Sequence, residues 1–290
     1  MFQIIGVVVV FAMVFGGFML AGGHFDVILK ALPFELMMIG GAALGAFLIG
    51  NSSKTIMKTA KDFAKLISGP KWKAADYQDL LSLLFTLTKT MKTKGVIALE
   101  THIEQPHDSA IFNAYPRVLK DHFATDFICD TLRMMTMNLE DPHQVEDAME
   151  RQLEKHHHEV TGPARALQSM ADALPALGIV AAVLGVIKTM GAIDSPPEYL
   201  GKMIGSALVG TFLGVFLAYG MVGPFAVRMQ EIYDEEHQFY KIIQDVLVAH
   251  LHGNAAQISV EIGRGGVPTA VQPSFAQLEE HLGALPSEAA

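Results

Sequence analysis

Residues 174–185 read Leu174-Pro-Ala-Leu-Gly-Ile-Val-Ala-Ala-Val-Leu-Gly185. The run has no charge, and small residues recur at Gly178, Ala181, Ala182 and Gly185. Spacings of three and four put these on one helix face, where a second backbone can come close. Across Ala173 to Asp194 the only charged side chains are Lys188 and the closing Asp194. Met1 to Gly23, Leu36 to Ser53 and Met203 to Val227 contain no Asp, Glu, Lys, Arg or His at all. About 20 apolar residues, rising ~1.5 Å each, take a helix across a bilayer. The four stretches predict an all-α integral membrane protein with four transmembrane helices.

Composition points the same way. Of 290 residues, 51% are hydrophobic and 18% charged, against roughly a quarter charged in soluble domains, and mean hydropathy is +0.33. A net charge of −9 argues against a nucleic-acid partner, because binding phosphate needs a basic surface. A single cysteine, Cys129, rules out a disulfide framework within the chain and fits a reducing compartment. The N-terminal stretch lacks a basic n-region and an A-x-A cleavage site, so it reads as a retained span rather than a signal peptide.

The expected order is spans at 1–23, 34–53, 173–193 and 203–227, with short loops at 24–33 and 194–202. A large domain fills 54–172, and a helix with a tail fills 228–290. Lys54, Lys58, Lys61 and Lys65 follow the second span, Lys155 and Arg165 precede the third, and Arg228 follows the fourth. The other side has only Lys30, Lys188 and Lys202. The excess of basic residues predicts that both termini and the large domain lie in the cytoplasm.

That domain reads as helical. Leu80, Leu81, Leu83, Leu84 and Leu87 mark one face of a helix from Trp72 to Thr93. A second helix is expected after Asp108 through Ile111, Val118 and Leu119, and a third over Asp126 to Asn138. Asp141-Pro142 opens a fourth that could run unbroken into the third span. Ile232 to Leu247 carries another apolar stripe, and Gly263 to Ala290 reads mostly as tail.

Within the spans, the glycines fit either plain helix packing or a mobile helix pair. Pro175 and Pro224, one near the cytoplasmic end of each of the last two spans, are tolerated kinks or a matched hinge. Thr211 either bonds its own i−4 carbonyl or faces a polar route. No carboxylate, His, Lys or Arg falls in the middle of an expected span; Glu35, Asp172, Lys188 and Asp194 all read as near ends. Membrane proton relays use buried Asp, Glu or His, so a titrating group would have to come from another chain. His156-His157-His158 point about 100° apart on a helix and read as a surface run, with no metal site expected. The sequence contains no phosphate-binding loop, HExxH or nucleophile elbow, and no cofactor or enzyme activity is expected.

Four spans with a large loop between the second and third resemble the MotA/TolQ/ExbB group, and within it the MotA-type flagellar stator subunits. The likeness is strongest in Leu174–Gly185 and in Val209-Gly-Thr-Phe-Leu-Gly-Val-Phe-Leu-Ala-Tyr-Gly220. It continues in Phe15–Gly23, Ile111-Phe-Asn-Ala-Tyr-Pro-Arg117 and Pro273-Ser-Phe-Ala-Gln-Leu-Glu-Glu-His281. The resemblance implies a pentameric ring in the bacterial inner membrane. The ring would enclose a MotB-like, peptidoglycan-anchored partner whose aspartate carries the ion. It also implies roles for Pro175, Pro224 and the pore-lining Thr211, and contact with the rotor protein FliG through Lys92 and Glu100. Sodium-driven relatives have a hydroxyl where Ala182 stands, so H+ is the implied ion and sodium the less favoured one. Two other readings remain open from sequence: an ExbB/TolQ-like energiser of outer-membrane processes, and a passive membrane scaffold.

Overall fold

The structure, a computed structural model, describes residues 2–137, 139 and 141–285, and every regular element among them is a helix. Four helices are long and apolar enough to cross a membrane: α1 Phe2–Leu20, α2 Asp26–Gly50, then Gly162–Met190 and Pro197–Leu251. Between α2 and the third of these lie α3 Ser53–Asp62, α4 Ala74–Lys94, α5 His122–Thr136 and α6 Pro142–Val160. The two remaining long helices are therefore α7 (Gly162–Met190) and α8 (Pro197–Leu251), followed by α9 Ala256–Gly265 and α10 Phe275–Gly283.

The chain forms two units: Met1–Gly69 with Val160–Ile232, and Pro70–Glu159 with Tyr233–Ala290. In the first, Ile39, Ala43, Leu174, Ala181, Leu213 and Ala218 form a small core. α1 buries no residue; its partner is a row of rings, with Phe11 edge-on to Phe216 at 5.2 Å and Phe15 to Phe216 at 5.4 Å. Such edge-to-face pairs contribute about 0.5–1.5 kcal/mol beyond area burial. In a helix that is apolar all round, no periodicity singles out this face.

The helix bounds differ from the expected spans for local reasons. α2 begins at Asp26 rather than after Pro33: an acid stands in its first turn, Pro33 lies inside the helix, and a π turn follows at Leu36–Gly40. α7 starts with Pro163 in its first turn, where the missing N–H costs nothing, and α8 likewise opens on Pro197. Continuation of α8 through Arg228 to Leu251 needs no break, because its polar and apolar residues keep helical spacing past the lipid-like segment.

In the second unit Leu80, Leu81, Leu83, Leu84 and Leu87 of α4 are all fully buried. Trp72 stacks on Phe239 with 3.8 Å between centroids. Asp121 caps α5 by accepting from the Ala124 N–H at 2.8 Å, and the Tyr240 hydroxyl donates to its second oxygen at 3.2 Å. The expected helix through Ile111 to Leu119 is instead two single turns, Ala110–Asn113 and Pro116–Leu119. Pro116 disfavours the helical conformation at Tyr115, and Ser109 caps the first turn by accepting from the Phe112 N–H. α6 and α7 are separated at Thr161, before Gly162-Pro163. The segment expected as tail folds into α10. Ser274 and Gln277 form a reciprocal capping box, and Leu278 and Leu282 are buried. Asn138 and the last five residues lie outside the described residues.

Cys129 is buried in this core, and burial pushes its thiol up to about 12, with the Arg133 charge acting weakly in the opposite direction. The thiolate is the reactive form. At pH ~8, a maleimide is expected to leave Cys129 unmodified in the folded protein and to label it fully in denaturant, as read by mass spectrometry.

Candidate functional site

The small residues singled out in the spans meet where α7 crosses α8. Both helices are apolar, and the glycines remove the side chains that would hold them apart. A Cβ on Gly178 would stand 2.8 Å from the Gly210 carbonyl oxygen and 3.1 Å from Gly214 Cα. One on Gly214 would stand 2.6 Å from the Leu174 carbonyl oxygen, and one on Gly185 would stand 2.6 Å from Ala207 Cβ. Real Cβ atoms do not come this close, so each of these positions is closed to any other residue unless the backbone moves.

Ala182 and Thr211 are both half-buried at this crossing. A Cβ on Gly210, the residue before Thr211, would lie 3.2 Å from Ala181 Cβ and 3.3 Å from the Ala182 nitrogen. Pro175 is half-buried within unbroken α7, directly after Leu174. Pro224 is exposed and follows a π turn at Ala218–Val222 in α8. The wider turn is how that helix absorbs the missing N–H. A Cβ on Gly223, next to Pro224, would meet Ala171 Cβ at 4.0 Å, and Ala171 is one turn before Pro175. The two prolines thus belong to the same end of the helix pair.

The helix that carries Glu35 is longer than the uncharged run after it. Because α2 begins at Asp26, Glu35 lies inside the helix and is only 5% exposed. Its Oε2 would be 2.6 Å from a Cβ on Gly210. The sequence signal was present in Pro33, but a proline three residues before an apolar run read as a boundary rather than as a residue inside the helix.

Lys92 and Glu100 lie elsewhere, exposed in the second unit. The Lys92 ammonium donates to the Gly253 and Asn254 carbonyls at 3.2 and 3.4 Å, and Glu100 opens the short helix Glu100–Glu104. At the other end of that helix Glu104 accepts from Arg133 at 2.7 Å, and Arg133 also reaches Asp130 at 2.6 Å. The Arg133 guanidinium holds the Glu104 carboxyl below the usual range. The three histidines diverge: His156 stacks on Phe123 at 3.6 Å, whereas His157 Nε2 lies 3.3 Å from Asp234. Among the described residues no three His, Cys, Asp or Glu side chains converge on a metal position.

A family model for the motility protein A N-terminal region matches residues 4–95, and the MotA/TolQ/ExbB proton channel family matches 119–241. Motility protein A of Salmonella typhimurium is 39% identical over 285 residues, covering 98% of this chain and 96% of the relative. The chain belongs to the motility protein A family. The Escherichia coli protein of the same name matches with the same identity and coverage, and chemotaxis protein LafT of Vibrio parahaemolyticus is 36% identical over 97% of this chain and 98% of its own. Two solved structures share the fold. That of MotAB from C. jejuni has a TM-score of 0.69 at 17% identity, covering 92% of this chain and 95% of that one. That of the flagellar MotAB stator complex from Bacillus subtilis has 0.66 at 22%, covering 89% and 92%. The chain is a membrane-embedded flagellar stator subunit of the proton channel family, and that family is one of motor and channel subunits, not enzymes.

The crossing generates a stability prediction. Gly214→Ala is expected to destabilise the helix pair by ~1–3 kcal/mol through overpacking, lowering the thermal midpoint of the detergent-purified protein. Gly6→Ala, whose Cβ would meet nothing within 4 Å, leaves that midpoint unchanged.

Proposed function

We propose that this subunit forms the membrane collar of a proton-driven stator. It sits in the bacterial inner membrane with both termini and the helical domain cytoplasmic. Several copies, five by the family resemblance, surround a MotB-like partner anchored to peptidoglycan, and the partner's aspartate binds the transported H+. The observation that carries this is the backbone-to-backbone packing of α7 on α8 at Gly178, Gly210 and Gly214, with Ala182, Thr211 and the two prolines on the same helix pair. The basic cluster from Lys54 to Lys65 with Arg165 and Arg228, against Lys30, Lys188 and Lys202 on the other side, supports the orientation.

One charge moving through ~100 mV releases about 2.3 kcal/mol. Protonation of the partner's carboxylate removes a charge from an apolar site and lowers the cost of burying it. The helix pair then repacks around the neutral group. Pro175 and the π turn before Pro224 are the positions where α7 and α8 lack a regular hydrogen bond and bend with least cost. Bending there moves the cytoplasmic domain, whose exposed Lys92 and Glu100 engage charges of FliG. Ala182 leaves no hydroxyl to replace the water around a sodium ion, which favours H+ over Na+.

Deleting the gene is expected to leave flagella assembled but not turning, with rotation restored by the intact gene. Pro175→Leu restores the helical hydrogen bond and is expected to abolish torque while the protein accumulates normally in the membrane; undiminished swimming would remove Pro175 from the mechanism. Lys92→Glu and Glu100→Lys are each expected to reduce swimming speed severalfold without loss of membrane protein, as measured by tracking and immunoblot.

A further inference from the structure

Glu35 has no place in the mechanism above, yet its surroundings are unusual for a carboxylate. It lies within α2, one of the four membrane-crossing helices, and is 5% exposed. Among the described residues its Oε2 has no hydrogen-bond partner. The oxygen rests against the bare backbone of Gly210, in space that any Cβ there would occupy. Gly210 is the residue before Thr211 and packs on Ala181 and Ala182. The carboxyl group therefore sits at the level of the α7–α8 crossing.

Glu35 also lines a cavity of about 410 Å³ with Lys30 of its own helix, Lys188 of α7 and Ser206 of α8. These two lysines are the charged groups that share the cavity with it, one from α2 and one from α7; α8 contributes the Ser206 hydroxyl. Lys30 and Lys188 are exposed, so the cavity connects with the side of the molecule where they stand. It is large enough to hold several waters.

An ionised carboxylate lodged against apolar helix backbone without a partner costs several kcal/mol. Water that enters the cavity beside Lys30 and Lys188 can exchange a proton with the group. A carboxyl that rests on helix backbone at Gly210 and opens on a cavity at its other side can take up a proton from one side and release it to the other. The π turn at Leu36–Gly40, immediately after Glu35, allows this part of α2 to shift its hydrogen bonds by one residue.

We propose that Glu35 is a proton-carrying residue of this subunit, loading H+ from the cavity beside Lys30 and Lys188 and delivering it at Gly210 toward the carboxylate of the partner. This rests on the stator reading above. In the loading step, cavity water gives a proton to the Glu35 carboxylate; in the delivery step, the carboxylic acid gives it to the partner's carboxylate, directly or through water, and Glu35 returns to its ionised form.

Two measurements test it. In the purified stator complex, dicyclohexylcarbodiimide, an apolar reagent for protonated carboxyl groups, is expected to form an adduct on Glu35 whose yield falls as pH rises, with none in Glu35→Gln. In cells, Glu35→Gln is expected to reduce rotation speed at low load severalfold and to alter its dependence on external pH. Stall torque is expected to persist, because energy per ion is unchanged while proton arrival is slowed. A structural role would instead lower both together with the amount of assembled complex. If Glu35→Gln does not accumulate, Glu35→Asp replaces it, with a shifted pH–speed profile expected. Absence of a pH-dependent adduct overturns the proposal, as does a speed equal to wild type at every pH. These results leave the stator reading standing, whereas flagella that still turn after gene deletion would overturn that reading whatever the labelling result.

Discussion

Contact of bare backbone between α7 and α8 is the constraint on which the membrane unit depends. With glycine at 178, 210 and 214, each helix offers its partner a groove rather than a ridge, and the carbonyl oxygens of Leu174 and Gly210 lie where side chains would otherwise stand. Lipid tails are as apolar as the helices, so no hydrophobic force drives this association, and close dispersion contact replaces it. Large side chains are displaced to the other faces. Ile179, Val183 and Ile187 of α7 are each more than half exposed in the single chain.

The same missing side chain at Gly210 serves a second purpose. It admits the Glu35 oxygen to a space no other residue would leave free. A collar built only from apolar helices would have no titratable group of its own, and a carboxylate on a helix rim would be solvated and unremarkable as a proton acceptor. Glu35 is neither, because α2 starts well before Pro33 and buries both Glu35 and Ile39. Packing against Gly210, helix extension and the lysine-lined cavity all meet at Glu35.

The second unit follows different physics. Its leucine-rich α4 is fully buried by soluble-type packing, and charged groups act at the margins as caps and pairs, as with Asp121 on α5 or Arg133 between Glu104 and Asp130. The expected helix at α4 matched because one strong apolar face dominates it. Where local chemistry overrode periodicity, the expectation failed: Pro116 split a predicted helix, and the Ser274–Gln277 capping box made a helix of a segment that composition marked as tail. Both signals were in the sequence but were weaker than the pattern they overruled.

Four apolar helices, their separation by a polar domain and the small-residue face of residues 174–185 were determined by the sequence alone, because charge exclusion from lipid and helical periodicity are local properties. The same holds for Pro175, Ala182, Thr211, Pro224, Lys92 and Glu100 as residues to watch. Tertiary structure alone decided which glycines meet, that α1 is held by phenylalanine rings, and that Glu35 lies inside rather than at the end of its helix. These depend on distances between residues far apart in the chain, and no local pattern encodes the approach of one backbone to another.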